Sequence, residues 1–260
     1  MQPFTLAFSG LEQNLNLFLS IVIPAHNEES RLPGSLEQVF KFLHKQPFAA
    51  EVIVVENGSS DRTYEVAQAF TKEHDNLRVV QNNIRGKGRA IQRGVKEAKG
   101  EYVFMCDADL SMPIEEISKF LPPQLEHVDI AIGSREAPGS VRYNEPAYRH
   151  FTGRVFNTLI RWLVLPGLQD TQCGFKCIRA DVARDIFPYQ TLMGWAFDVE
   201  LLYIARRHGY SIVEIPIDWY FNADSKISVV RDSLRMFLDL LSIRRNASRG
   251  LYNAHSHELR

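Results

Sequence analysis

The stretch EYVFMCDAD, residues 101–109, sets the fold: an apolar run ends at Cys106 and is followed by two carboxylates, Asp107 and Asp109. A short apolar run of this kind reads as a strand buried on both faces of a parallel sheet. Just before it, residues 86–99 read as a helix with Ala90, Ile91, Val95 and Ala98 on its inner face. Upstream of that helix lies strand-like Leu77–Gln81, preceded by a helix carrying Val66, Ala67 and Phe70 that Ser60 or Asp61 can cap. Further back are Glu51–Val55 (EVIVV), closed by Asn57-Gly58-Ser59-Ser60, and Leu19–Ala25 (LSIVIPA). Between those two runs, Leu32, Leu36, Val39, Phe40 and Leu43 fall at helical spacing. Downstream, Pro113 opens a helix with Ile114, Ile117, Phe120 and Leu121, and Val128–Gly133 makes a fifth strand.

Five strands interleaved with four helices predict an α/β fold with a doubly wound, mainly parallel sheet. Such a sheet binds its ligand outside the carboxyl ends of the strands. Polar groups collect there after four strands: His26-Asn27-Glu28, Glu56-Asn57, Asp107-Ala108-Asp109 and Ser134-Arg135. The first half therefore reads as a nucleotide-binding unit.

The second half changes character. From Tyr148 to Leu165, Tyr148, Phe151, Val155, Leu159 and Trp162 share one helical face, with His150, Arg154, Asn157 and Arg161 on the other. That pattern suits an interfacial helix on anionic lipid, and equally a core helix with a solvated back. From Ile227 to Ile243, one face carries Ile227, Val230, Leu234, Phe237, Leu238 and Leu241, and a second stripe carries Val229, Met236, Leu240 and Ile243. A helix apolar on two sides needs burial on two sides. From Asn246 onward the chain is polar and is expected to fray.

The 260 residues carry 30 Lys+Arg against 31 Asp+Glu, and 45% are hydrophobic. That composition supports a sizeable core and excludes an intrinsically disordered chain. The charge balance excludes a dedicated nucleic-acid binder, so no nucleic acid is expected as a partner. Cys106, Cys173 and Cys177 cannot close a set of disulfides, and no second Cys/His pair completes a zinc site. They read as buried small hydrophobes in a reducing compartment. The longest apolar run, residues 17–25, is about half of the roughly 18–20 residues that a membrane span needs. No signal peptide is evident. The expectation is a cytoplasmic protein that lies on a membrane at most.

Alternate residues leaving a strand bring the carboxylates of Asp107 and Asp109 together, where a cation relieves their repulsion. Hard oxygen ligands suit Mg²⁺ or Mn²⁺, and Mg²⁺ takes one or two carboxylates together with substrate phosphates. Asp-x-Asp alone is common in solvated loops and helix caps; its place after an apolar strand is what points to function. Arg85-Gly86-Lys87-Gly88-Arg89 opens a helix whose glycines let the backbone approach an anion, while Lys87 and the helix N-terminus favour phosphate. A turn with a solvated basic edge would look the same. The segment matches neither G-x-x-x-x-G-K-[ST] nor G-x-G-x-x-G, which removes the Walker ATPase and dinucleotide readings. DTQCGFK (170–176) and GWAFDVE (194–200) hold carboxylates that, by residue type alone, read as caps or satisfied half-buried acids. Ser225-Lys226 can offer a hydroxyl and an ammonium to a phosphate.

At these segments the chain resembles the glycosyltransferase family 2 enzymes of the GT-A fold. Within them it is similar to the dolichyl-phosphate β-glucosyltransferase branch, beside the dolichyl-phosphate mannosyltransferases. The resemblance runs over residues 19–245 and rests on the order of nine segments. They are SIVIPAHNEE (20–29), VVENGSSDRT (54–63), NIRGKGRAI (83–91), DADLS (107–111), IGSR (132–135), DTQCGFK (170–176), IFPY (186–189), GWAFDVE (194–200) and SKISVVRDSLRMFLDLLSIR (225–244).

The resemblance implies that Pro24, Ala25, Asn27 and Glu28, with Glu56, Asn57 and Ser59, hold the base and ribose of a nucleotide sugar. It places Gly86, Lys87 and Ala108 in the same donor site, Asp107 near ribose and metal, and Asp109 as the main metal ligand. Arg135, with Arg149 or Lys226, would meet the phosphate of a lipid acceptor. Two segments depart from the family pattern. Glu56-Asn57 stands for the usual Asp-Asp, which passes the base contact to Asn57 or the longer Glu56, and Ala223-Asp224 stands for Asp-Gly before Ser225-Lys226, which alters the turn that carries Lys226. The implied activity is metal-dependent, inverting transfer of glucose from UDP-glucose to a polyprenyl phosphate. GDP-mannose as donor and a soluble acceptor are the alternatives, and a nucleotidyltransferase or a silent membrane adaptor are the rivals from other classes. Asp170 is the candidate base, or else orders a cationic side chain at the acceptor site.

The implied organisation is an N-terminal extension (1–18) and one GT-A domain (19–245), divided into a nucleotide-sugar half (19–135) and an acceptor half (136–245). Amphipathic helices at about 148–165 and 227–244 would supply contact with the cytoplasmic face of a membrane. A polar tail (246–260) follows.

Overall fold

The computed structural model describes residues 17–222 and 229–254. Its main sheet contains β1 (Leu19–Ala25), β2 (Ala50–Glu56), β3 (Leu77–Gln81), β4 (Tyr102–Met105) and β5 (Ile130–Ser134). After β6 (Val141–Tyr143), which lies apart, β7 (Lys176–Arg179) and β8 (Ile212–Pro216) complete it in the order β3-β2-β1-β4-β7-β5-β8. All five expected strands are present, and their mutual pairings are parallel. A strand from the second half separates the last two: β7 lies antiparallel between β4 and β5. Its residues Lys176 to Ile178 are buried on both sides, as a central strand requires. The reversed direction has a consequence for function. Lys176 pairs with Met105 and Ile132, so the loop preceding β7 arrives at the carboxyl ends of β4 and β5.

Alternation along the strands builds two cores. Val22, Ile53, Val55, Val103 and Ile130 face α3 (Lys87–Glu97), α5 (Ala180–Ile186) and α6 (Phe197–Arg207). Ile21, Ile23, Val52, Val54 and Phe104 face α1 (Leu32–Leu43) and the Ala67 side of α2 (Thr63–Phe70). Full burial of one such side chain stabilises by about 1.5–3 kcal/mol. Neither Ser60 nor Asp61 caps α2 as expected: Arg62 is its N-cap and makes no side-chain cap bond, while Asp61 Oδ1 accepts from the Thr63 amide at 3.0 Å one residue earlier. The helix expected after Pro113 is a 3₁₀ helix, Ile114–Phe120, whose three-residue repeat places Ile114, Ile117 and Phe120 in the core.

α4 (Ala147–Leu163) buries Ile160, while Tyr148 (64%), Val155 (47%) and Trp162 (85%) are exposed. The apolar stripe is thus not the core-facing side, and Phe156 and Leu163 pack inward instead. α7 (Val229–Ser248) buries Leu240 and Ile243 but leaves Leu238 and Leu241 half exposed, so only one of its stripes is covered by protein among the described side chains. The fraying expected from Asn246 does not occur through residue 254. Tyr252 is fully buried, because an aromatic ring with a polar tip finds both a core and a hydrogen-bond partner there. A parallel pair, β6 and β9 (Asp218–Tyr220), flanks the sheet. Among the described residues no helix is long and apolar enough to cross a membrane. Residues 1–16, 223–228 and 255–260, which include Lys226, lie outside the described residues.

Candidate active site

Asp107 follows β4, and Lys87 starts α3 beside it. The Lys87 Nζ lies 2.6 Å from Asp107 Oδ1. Gly174, in the loop before β7, makes this position available to the carboxylate, since a Cβ on Gly174 would fall within the Asp107 carboxylate. Burial pulls the Lys87 ammonium down, but the carboxylates of Asp107, Asp198 and Asp109 outweigh it and hold the lysine protonated above its ordinary range. Burial, and then repulsion from Asp107, push the Asp109 carboxyl up, although the Ser111 amide donates to it at 3.1 Å. Such a pair of acids fits a divalent cation. Among the described residues no cluster of three or more His, Cys, Asp or Glu adds further ligands, so phosphate oxygens would complete the coordination.

The loops after β1 and β2 form the neighbouring rim. Asn27, at φ 55°, donates its amide to Ser59 Oγ at 3.1 Å, and its Oδ1 accepts from the Ser60 amide at 2.8 Å. Glu56 Oε1 accepts from the Ser59 amide at 2.5 Å, and Glu28 holds Arg31 at 2.7 and 2.8 Å. Asn57 Oδ1 accepts from the Gly86 amide at 3.0 Å, which ties this rim to the start of α3. Pro24 and Ala25 end β1, and Ala108 O accepts from Ser35 Oγ at 2.6 Å.

A cleft of about 300 Å³ opens beside Lys87, Asp107 and Asp109 and continues to Arg135 and Arg149. The structure brings these five expected residues onto one lining. Pro24, Ala25, Asn27, Glu28, Glu56, Asn57, Ser59, Gly86 and Ala108 lie outside its lining, at the ends of β1 and β2, in the loops after β1, β2 and β4, and at the start of α3.

At the far end Asp170 is fully buried and accepts from Arg135 Nε at 2.7 Å, Nη2 at 2.8 Å and the backbone amide at 2.9 Å. Burial alone would push the Asp170 carboxyl up, but the Arg135 guanidinium more than cancels that and holds it below its ordinary value. Arg135 also sits 5.4 Å from the Trp219 ring centroid, and Arg149 lies 5.1 Å from that of Phe221. The Arg149 Nε is buried without a hydrogen-bond partner among the described residues.

Sequence reasoning missed several members of the cleft. Asp198, read as a cap or satisfied acid, lines the cleft, and its Oδ1 is 2.8 Å from the Nζ of fully buried Lys176. Burial pushes the Asp198 carboxyl up despite Lys176 and Lys87. Trp195, Trp219 and Phe221 supply aromatic walls, with Lys87 Nζ 5.3 Å from the Trp195 centroid. The available signal was a lysine inside the strand KCIR, because a buried ammonium demands a carboxylate partner.

A sheet of this order, with an acidic pair at the end of a central strand and a cleft that runs from it to two arginines, defines a GT-A glycosyltransferase. A family model described as "Glycosyl transferase family 2" matches residues 20–187, and the chain belongs to that family. It is 37% identical over 241 residues to a dolichyl-phosphate beta-glucosyltransferase from Homo sapiens, covering 87% of this chain and 74% of the relative. With the protein of the same description from Dictyostelium discoideum, identity is 31% over 255 residues, covering 93% and 78%. Mannosyl-3-phosphoglycerate synthase from Rubrobacter xylanophilus superposes with a TM-score of 0.65 at 18% identity, over 91% of this chain and 76% of that structure. Glucosyl-3-phosphoglycerate synthase from Mycobacterium tuberculosis, in complex with Mn²⁺, UDP-glucose and phosphoglyceric acid, gives 0.63 at 18% identity over 87% and 79%.

Proposed function

We propose that the chain transfers glucose from UDP-glucose to a polyprenyl phosphate of the dolichyl type, using Mg²⁺ or Mn²⁺. The observation that carries this reading is one continuous cleft, with Lys87, Asp107 and Asp109 at one end and Arg135 and Arg149 at the other. The relatives named dolichyl-phosphate beta-glucosyltransferase support the acceptor and the sugar. The solved neighbour holding Mn²⁺ and UDP-glucose supports the donor and the metal.

On this reading Asn27, Glu28, Glu56, Asn57 and Ser59, with Pro24 and Ala25, shape the seat for base and ribose, and Gly86, Lys87 and Ala108 border the diphosphate. Asp107 and Asp109 would hold the cation, which supplies charge stabilisation to the departing diphosphate. Lys87 adds a permanent positive charge at the N-terminus of α3. Arg135 and Arg149 orient the acceptor phosphate for attack on the far side of the anomeric carbon, which inverts an α-linked donor to a β-linked product. A phosphate monoester, with a second pKa of about 6, arrives largely dianionic and needs positioning more than deprotonation. Asp170 serves that positioning, since both of its oxygens are engaged by Arg135.

The exposed stripe of Tyr148, Val155 and Trp162, with Leu238 and Leu241, suits the cytoplasmic face of a membrane, where a prenyl chain resides. A soluble phosphate-bearing acceptor is the second reading, favoured by the neighbours named phosphoglycerate synthases. A donor panel of UDP-glucose and GDP-mannose, with each metal and with or without a short polyprenyl phosphate, tests these readings. Lipid-linked glucose is the expected product. Product from GDP-mannose alone would overturn the donor, and nucleotide binding without lipid product would overturn the acceptor.

A further inference from the structure

The loop between Tyr189 and α6, residues 190–196, closes over the start of α3. Gln190 Nε2 donates to Gly88 O at 3.1 Å, and Trp195 stands over Lys87. The two surfaces meet without space for side chains. A Cβ on Gly86 would stand 2.6 Å from Met193 O, and one on Gly88 would stand 2.6 Å from the Phe197 Cβ. The position of this loop therefore sets the position of Lys87.

The loop is held by one fully buried carboxylate, Glu200 of α6. Its Oε2 accepts from the amides of Thr191 and Leu192 at 2.9 and 2.7 Å. Its Oε1 accepts from Thr191 Oγ1 and from the Tyr252 hydroxyl, each at 2.5 Å. Asn246 Nδ2 completes the ring, donating to both Thr191 Oγ1 and Tyr252 OH at 3.1 Å. Tyr252 is anchored in turn, with its carbonyl 3.2 Å from His208 Nε2 and its neighbour Asn253 accepting from Arg207 at 2.6 Å. A hydroxyl donating to a buried carboxylate is a strong hydrogen bond, and losing it leaves the acid under-solvated.

We infer that Tyr252 and Asn246, acting through Glu200, are positioning residues for the donor diphosphate site: the last turn of α7 and the residues that follow it fasten the 190–196 loop against Gly86 and Lys87. This rests on the reading of Lys87 as a diphosphate ligand. It gives residues 246–254 a part in donor binding although none of them lines the cleft.

The test compares the full chain with Tyr252→Phe, which keeps the buried ring, and with Ser20→Ala. Ser20 also donates a hydroxyl to a buried acid, Glu51 at 2.7 Å, but does not line the cleft. UDP affinity is measured by calorimetry, the UDP-glucose KM and kcat by product formation, and the Thr191 and Leu192 amides by hydrogen exchange. Tyr252→Phe should weaken UDP binding and raise the donor KM by about tenfold while kcat at saturating donor stays within about threefold. The two amides should exchange about tenfold faster. Ser20→Ala should move none of these. UDP affinity within about twofold of wild type in Tyr252→Phe, or an equal loss in Ser20→Ala, would overturn the inference. If the wild-type chain binds no uridine nucleotide, the donor reading itself falls; faster exchange in Tyr252→Phe would then still show the fastening while removing its link to a donor.

Discussion

Asp170 grips Arg135 three times, through Nε, Nη2 and the backbone amide, at 2.7, 2.8 and 2.9 Å. A bidentate carboxylate–guanidinium pair fixes the plane of the arginine as well as its position. An acid whose two oxygens are so occupied, and whose proton affinity is lowered, is a poor general base. Asp170→Asn should therefore impair acceptor use through a misoriented Arg135, with UDP affinity retained. Breaking one side of a buried pair costs about 3–5 kcal/mol, so a loss of stability should accompany it. Steady-state kinetics with acceptor varied, beside UDP calorimetry, checks this. A variant that loses UDP binding instead would disconnect Asp170 from the acceptor end.

The same pair predicts a pH dependence of stability. Asp170 is held below the ordinary carboxylate pKa of about 3.9. Its contribution is complete above that range and is lost as pH falls through the lowered native value. The difference in melting temperature between wild type and Asp170→Asn should be constant from neutrality down to about pH 5 and narrow below about pH 4. Melts across that range measure it, and a gap that widened with acid would contradict the depressed value.

Gly174→Ala should disturb the metal end. The added methyl would collide with the Asp107 carboxylate and force it off Lys87. Removing one charge-stabilising group costs about 2.7–4 kcal/mol in turnover, so a drop of about a hundredfold in kcat/KM for the donor is expected. Paramagnetic titration of Mn²⁺ in the presence of UDP should show weakened binding. Unchanged kinetics would mean that Asp107 does not work from the position it occupies here.

Much of this site was legible because its parts sit at strand ends. Leu19–Ala25 and Leu77–Gln81 are bounded as the apolar runs are, and Asp107, Asp109 and Lys87 converge as the alternation of strand and helix requires. What escaped was set by tertiary pairing. Nothing local marks Lys176–Arg179 as the antiparallel strand between β4 and β5, since a short apolar run carries neither direction nor neighbour. Asp198 read as a cap or a satisfied half-buried acid; it is satisfied and buried, but its place in the cleft was hidden because its partner Lys176 is 22 positions away, in that same strand. Tyr252 lies in a polar stretch, and only Glu200, brought near by α6, reveals why it is buried.

The stripe on α4 makes the last prediction. Trp162 is 85% exposed and Tyr148 64% exposed, on the same helical face as Val155. Leaving an indole in water forfeits the area that it would bury at a lipid interface, where its ring and N–H are both accommodated. Arg154 and Arg161 on the same helix would add attraction to anionic headgroups. Trp162→Ser combined with Val155→Ser should lower binding to phosphatidylserine-containing vesicles by about tenfold or more, with UDP affinity unchanged because neither side chain lines the cleft. High salt should weaken wild-type binding further, as expected where headgroup charge contributes. Vesicle flotation of the two proteins measures the difference. Equal flotation would overturn the reading of the α4 stripe as a membrane-contacting face.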